Sequence, residues 1–403
     1  MKQKKLLLLG GSEAQIIAIR RAKEMGIFTV VCDYLPDNPG QYIADKFFLA
    51  STTDKDTILE IAKNEQIDGI VAYSSDPAAP TAAFVAGKLG LPGIDYDVVC
   101  HLCEKQLFRK FLQEHGFNVP KSIKVELPYK MSDIDMRGLS MPVIVKPTDS
   151  SGSKGITVIR SLDELEGALE YAQQYSRNKT LIIEEFIERD HPHVIEAELF
   201  VIDGEVKSWG LINSIRDWDS NPLLPAGYTY PLDLPADRVA IVKSEIKRLI
   251  ASMEKPSGAF NIEMIIDKRN KLFFLDAGPR NGGNMLPEFI SMISEKDIIE
   301  ATILNALGER SKLDVDLDGN RGGYWGLVVL HSDRDGIFSG ITYNSDARAS
   351  IVRKNIQKKI GDKIKEFSIC SNLIGLSFHK FETSEKMKAT MYNMSKSFQI
   401  ELK

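Results

Sequence analysis

Pro142-Val-Ile-Val-Lys146-Pro147-Thr-Asp-Ser-Ser-Gly-Ser-Lys-Gly155 is the stretch on which the reading of this chain turns. An apolar run ends in a lysine, a loop rich in Ser and Gly follows, and residues 156–159 leave as a second strand. A nucleotide-binding P-loop passes into a helix instead. A strand–loop–strand can still wrap phosphates with backbone N–H groups, because Gly152 and Gly155 admit unusual dihedrals. Lys146 and Lys154 add positive charge. An ordinary glycine-bearing hairpin has the same turn chemistry, so the stretch has to be read with its neighbours.

Downstream, Ser161 and Glu164 form a capping box, and Leu165, Ala168, Leu169 and Ala172 make one helical stripe. Residues 181–187 read as a strand, which completes a small α+β unit of the size of a lid. Upstream, the chain alternates strand and helix. Residues 6–9, 29–32 and 69–73 are apolar runs suited to buried parallel strands. Helices are expected from Ser12 onward, over 54–63, over 79–89 and over 104–115. The pattern predicts an open, doubly wound parallel α/β domain. Asp33 follows the turn Gly10-Gly11 at the spacing of a ribose-binding acid, which raises an NAD-dependent oxidoreductase as a second reading. Against it, Ser12-Glu13-Ala14-Gln15 lacks the second and third glycines that let pyrophosphate approach the helix. Residues 119–142 are turn-rich and mark a boundary. Strands dominate after Val194. The last section is expected to hold strands at 324–330 and 374–381 and helices at 345–360 and 384–397.

The sharpest physical point lies in a hairpin predicted from 260–266 and 271–275. If its turn centres on Arg269 and Asn270, Glu263 and Asp276 lie directly opposite each other. Like charges so paired destabilise a sheet, with Cβ atoms about 5 Å apart. They need a cation, and oxygen ligands suit Mg²⁺ or Mn²⁺. Arg280 and Gly282-Gly283 follow at once, and an arginine fork suits carboxylate or phosphoryl oxygens.

The bulk composition sets limits. With 403 residues, 51 Lys plus Arg, 56 Asp plus Glu and a net charge of −5, the chain has no basic footprint for nucleic acid. No stretch approaches a membrane span, and the run 6–9 is too short for a signal-peptide core. Four cysteines are too few for a disulfide scaffold, so Cys100-x-x-Cys103 reads as two buried thiols and a reducing cytoplasm is expected. His191 and His193 read as solvated loop residues. The stretch 209–230, with Arg216, Trp218, Asp219 and Tyr228, is expected to line an acceptor pocket.

In chain order the blocks are Glu104-Lys105 opening a helix, Gly116-x-x-x-Pro120, Val145-Lys146-Pro147 with its loop, Glu184-Glu185-Phe186-Ile187, Phe260-Asn-Ile-Glu263 and Leu275-Asp276-x-x-Pro279-Arg280. This succession resembles the ATP-grasp superfamily of carboxylate–amine ligases. The nearest pattern is the group containing glycinamide ribonucleotide synthetase, N5-carboxyaminoimidazole ribonucleotide synthase, biotin carboxylase and carbamoyl phosphate synthetase. The resemblance implies a pre-ATP-grasp domain at 1–104, an ATP-grasp fold of two α+β subdomains at 105–310 with a lid near 120–187, and a small α+β domain at 311–403.

It also implies roles. Lys105 and Lys146 contact ATP phosphates. Ser150, Ser151, Gly152, Ser153 and Gly155 cover them. Glu185, Phe186 and Ile187 hold adenine, with Glu184 nearby and Asp190 at the ribose. Glu263 and Asp276 carry Mg²⁺ or Mn²⁺. Arg280, with Lys146, serves the chemistry. The implied activity is ADP-forming ligation of a small-molecule carboxylate and an amine through an acyl phosphate, in a cytoplasmic enzyme and possible homodimer, without nucleic acid or membrane. One departure stands out: the family usually has Glu-x-Asn before Pro-Arg, whereas this chain has Asp276-Ala-Gly278. Glycine offers no ligand, which leaves a non-catalytic ATP-binding module as a third reading, unless Asn281 or Asn284 substitutes.

Overall fold

The structure, a computed structural model, describes residues 3–150, 153–217, 221–317 and 322–403. Its N-terminal part is a four-stranded parallel sheet in the order Lys46–Leu49, Phe28–Asp33, Lys5–Leu9, Gly69–Val71. The order reverses beside Lys5–Leu9, as a doubly wound sheet requires. Alternating side chains feed two separate cores, Leu7 and Leu9 into one and Leu6 and Leu8 into the other. The second core also takes Ile299, Ile303 and Ala306 from the helix Ile298–Ala306, so this sheet is covered partly by a distant segment.

The first helix starts at Ile16, later than the capping pattern suggested. Ser12 and Gln15 form a turn in which Gln15 Oε1 accepts the Ser12 N–H at 3.0 Å and Nε2 donates to Tyr73 O at 3.0 Å. The pairing predicted as a cap is present, but it sews the glycine turn to the neighbouring strand. Asp33 is equally occupied, accepting the N–H of Gly11 at 2.7 Å and of Leu35 at 2.8 Å. A Cβ on Gly11 would lie 2.1 Å from Asn38 Oδ1. The space a dinucleotide would need is filled by the chain's own side chains.

The lid-sized unit is a four-stranded antiparallel sheet in the order Ser122–Glu126, Thr180–Glu185, Val143–Pro147, Thr157–Ile159. The helix Leu165–Gln173 packs its predicted stripe on Val143, Val145, Leu181 and Ile183. Behind it runs a nine-stranded sheet that includes Leu272–Gly278, Gly258–Ile266, Val194–Ile202, Glu205–Asp217, Asn221–Tyr230, Tyr324–Leu330 and Gly375–Phe381. Thr229 pairs with Gly326, so strands on both sides of residue 310 belong to one sheet.

Two expected helices are corrected. Residues 345–350 are helical, but Ile351–Ile356 is a strand paired with Gly375–Phe381. The β-branched run Ile351-Val352 and an open sheet edge outweigh the helical period. The helix expected over 384–397 is two, Ser384–Met391 and Met394–Ser397, separated at Tyr392 and Asn393.

Candidate functional site

The helix Lys105–Glu114 begins the site. Lys105 and Arg109 lie four residues apart, hence on one face. The Lys105 N–H donates to Thr148 O at 2.9 Å, and its Nζ donates to Ser150 O at 2.9 Å. The same Nζ lies 3.4 Å from Asp276 Oδ2. One lysine thus touches both the Ser/Gly loop and a hairpin carboxylate. Arg109 was not singled out in the sequence. It is buried, donates to Glu184 Oε1 at 2.6 Å, and caps the carbonyls of Phe274 and Leu275 at 3.3 and 2.9 Å. Its spacing from Lys105 was the available signal.

Glu184 is 1% exposed and sits between Arg109 and Lys146, in contact with both. Burial alone would raise its pKa. The two cations outweigh that and hold it at about 2. Lys146 is pushed below its ordinary range by burial, with Arg109 and Lys105 as like charges, although Glu184 opposes this. Glu184 therefore fixes where Lys146 points. Lys105, Arg109 and Lys146 gather around Glu184 and Asp276, a cation-rich corner among the described residues.

The described parts of the loop are tied down by hydroxyl bonds. Ser150 Oγ donates to Lys154 O at 3.1 Å, and Ser153 Oγ donates to Leu223 O at 2.9 Å. Gly155 has φ +74°, and a Cβ there would come 3.0 Å from the Tyr175 ring. Ser151 and Gly152 lie outside the described residues, as do Trp218 and Asp219. At the expected adenine hinge, the Glu185 N–H donates to Lys121 O at 3.0 Å and the Phe186 N–H donates to Pro142 O at 3.1 Å. Ile187 packs against a small apolar cluster of Val194, Ile265 and Phe273. Asp190 pairs with Arg238: its Oδ2 lies 2.8 Å from Arg238 Nη2 and its carbonyl accepts Arg238 Nη1. His191 and His193 are half-buried where solvated loop residues were expected. His191 Nε2 accepts the Ile266 N–H at 3.0 Å, His193 packs at a tilt against the Tyr392 ring, and burial pushes both rings down to about 4.

Glu263 and Asp276 are cross-strand partners, as the turn centre predicted. The register arrives there indirectly. Near the turn, Met264 pairs with Phe274, and a bulge at Leu275 restores the opposition of the carboxylates. Each has a cation at loose distance: Arg216 Nη2 lies 3.1 Å from Glu263 Oε1, and Lys105 lies 3.4 Å from Asp276. Charge-assisted bonds normally close to about 2.7–2.9 Å. Burial would raise the Asp276 pKa, but Lys105, Arg280 and Lys146 hold it below the ordinary value. Among the described residues no group of three or more His, Cys, Asp or Glu is set to hold a metal. Two loosely paired carboxylates nonetheless fit Mg²⁺, which typically takes one or two from the protein and the rest from water and phosphate.

Asn281 and Asn284, the candidate substitutes for the missing asparagine, each donate their amide to a neighbouring hydroxyl. Asn281 Nδ2 donates to Thr302 Oγ1 at 3.0 Å, and Asn284 Nδ2 donates to Tyr228 Oη at 3.0 Å. Gly278 has a different reason. A Cβ on it would lie 2.6 Å from Asp76 Oδ1 and 2.9 Å from Arg280 Cζ. The glycine makes room for a bidentate Arg280–Asp76 pair, with Nε–Oδ1 at 2.6 Å and Nη2–Oδ2 at 2.7 Å.

Sequence reasoning also missed Glu196 and Glu198, two residues apart on the strand Val194–Ile202 and so on one face. They are 3% and 1% exposed, and both share the Asn261 amide. Each keeps one carboxylate oxygen without a hydrogen-bond partner. Burial, with Glu263 adding to it at Glu196, pushes both up to about 8. In the sequence, two Glu among apolar strand residues were the signal.

Comparison with known proteins bears on the family and the fold. Residues 102–284 match the ATP-grasp domain family. The carbamoyl phosphate synthase large chain of Pseudothermotoga lettingae is 26% identical over 302 residues, covering 69% of this chain. This chain spans only 26% of that relative's length. The L-amino acid ligase of Bacillus licheniformis superimposes with a TM-score of 0.83 at 19% identity, over 100% of both chains. The biotin carboxylase domain dimer of Hydrogenobacter thermophilus 2-oxoglutarate carboxylase, in complex with MgADP, ADP and bicarbonate, gives a TM-score of 0.75 at 18% identity, over 99% of this chain and 91% of that one.

Proposed function

Since residues 102–284 are an ATP-grasp domain, we propose that the chain is an ADP-forming carboxylate–amine ligase that binds Mg-ATP in the cleft between the lid sheet and the large sheet. The observation that carries this is Lys105, whose Nζ contacts both Ser150 O in the loop and the Asp276 carboxylate. That contact supports a γ-phosphate seated where the loop and the carboxylates converge.

A carboxylate attacking a phosphate brings like charges together, at a cost on the order of 4 kcal/mol per unit pair at 4 Å and effective ε near 20. Lys105 and Lys146 offset part of that repulsion, and Glu184 with Arg109 fixes where Lys146 points. Glu263 and Asp276 would hold Mg²⁺, which neutralises phosphate charge when bound. In the first step the substrate carboxylate oxygen bonds to the γ-phosphorus and the bond to the ADP oxygen breaks. In the second, the amine nitrogen bonds to the acyl carbon, phosphate leaves, and the amine gives up a proton. Ser150, Ser153 and Gly155 keep water from the acyl phosphate. Glu185, Phe186 and Ile187 take the adenine. Four free cysteines support a cytoplasmic setting, and the dimeric relative supports a homodimer.

The test is a panel of carboxylates against amines, with nucleotide products resolved chromatographically. ADP and phosphate are expected. AMP and pyrophosphate as products, or ATP binding with no turnover across the panel, would refute the ligase reading.

A further inference from the structure

Arg280 is expected to take an anion, yet its fork is already filled. Asp76 engages it through two bonds of 2.6 and 2.7 Å, while Arg280 Nη1 donates to Asn261 Oδ1 at 3.0 Å and Asn281 O at 3.1 Å. Asp76 comes from the segment between the strand Gly69–Val71 and the helix Ala79–Leu89, more than two hundred residues away in sequence. Ser74, from that same segment, anchors it by donating to Gly282 O at 2.7 Å. Neither partner is sealed: their side chains are 22% and 14% exposed. Gly278 supplies the space, since any Cβ would strike Asp76 Oδ1 and Arg280 Cζ.

A simple carboxylate entering that fork would displace Asp76 and leave it half-buried without a cation. A zwitterion would not. Its carboxylate takes over the bidentate fork, and its ammonium replaces the guanidinium beside Asp76. One ion pair becomes two, and no charge is stranded. Arg280 also borders a cavity of about 90 Å³ walled by Ala72, Ala79, Ala83, Ile94 and Val99. That volume and lining suit a short aliphatic side chain.

We propose that Asp76 and Arg280 form an α-amino acid subsite, in which Asp76 holds the ammonium group, Arg280 holds the carboxylate, and the adjoining apolar cavity takes a small aliphatic side chain. This rests on the ligase reading and names the class of acid that is activated.

Binding is measured by calorimetry on the full chain with Mg²⁺ and a non-hydrolysable ATP analogue. The probes are alanine, valine and leucine, each against its des-amino acid: propionate, 3-methylbutanoate and 4-methylpentanoate. At least one amino acid is expected to bind at least about tenfold more tightly than its des-amino partner, because a site built for a polar group rejects the analogue lacking it. Asp76→Asn is expected to erase that preference by weakening the amino acid alone, with affinity for the nucleotide analogue unchanged. Asp76→Glu, which keeps the charge, restores part of it, and serves as the second variant if Asp76→Asn melts early. Equal loss for both acids in Asp76→Asn would mean that Asp76 only positions Arg280, and the proposal falls. It falls too if the unsubstituted protein binds none of the amino acids, or binds both members of each pair alike. The two readings fail separately. ADP release with simple acids alone would sink the subsite and keep the ligase. Amino acid binding with the expected preference, but without ADP formation, would do the reverse.

Discussion

Glu184 and Glu198 are buried to the same degree, each 1% exposed, yet one is held at about 2 and the other is pushed up to about 8. Both lose hydration, so desolvation cannot separate them. Partner charge does. Glu184 touches Arg109 and Lys146, whereas Glu198 receives the Gly282 N–H at 2.8 Å and a share of the Asn261 amide. The two halves of the cleft are therefore opposite environments. One is a cation-rich corner with a satisfied anion. The other is an acid-rich corner whose carboxylates are unsatisfied until protons or cations arrive.

The strongest way to break this contrast is Glu184→Ala. It strands two buried cations, and a loss of about 3–5 kcal/mol is expected, read by urea denaturation, together with loss of ATP binding by calorimetry. Next, Asp276→Asn should raise the Mg²⁺ concentration for half-maximal ADP release by about tenfold or more, since each tenfold corresponds to about 1.4 kcal/mol. A smaller rise in Asn than in Glu263→Gln would place the dominant metal contact on Glu263.

The pH dependence sharpens the same comparison. Glu198 has its folded pKa above the unfolded value, so the fold binds more protons than the unfolded chain between about 4.5 and 8. Stability falls as pH rises through that window, by up to about 1.4 kcal/mol per unit for this group. Glu198→Gln should flatten the slope in denaturation curves from pH 5 to 8. Glu184 has the opposite sign: its contribution is complete above about 4.5 and is lost as pH falls toward 2. At the small end, Lys121→Ala removes an exposed pairing with Glu185 at 3.8 Å and a long bond to Gly138 O at 3.5 Å, and stability should change by less than about 0.5 kcal/mol.

Much of the cleft was legible from sequence because its parts are local. The Lys146 strand, the Ser/Gly loop and the Glu263–Asp276 hairpin each depend on turn chemistry and a period of two over a dozen residues. Errors came where a distant partner decided. Residues 351–356 pair with the strand Gly375–Phe381 and leave the helical period. That Gly278 makes room for Asp76 was likewise invisible in the sequence.

The sequence by itself determined the order of strands and loops that carry the chemistry, and that Glu263 and Asp276 sit on the two arms of one hairpin. Those follow from backbone periodicity and turn geometry, which are nearest-neighbour properties. Only the tertiary structure decided which charge sits beside which. Glu184 meets Arg109 across 75 residues and Arg280 meets Asp76 across 204. Coulomb interactions act through space, and once water is excluded they fix whether a carboxylate is an anchor, a proton carrier or a stand-in for substrate.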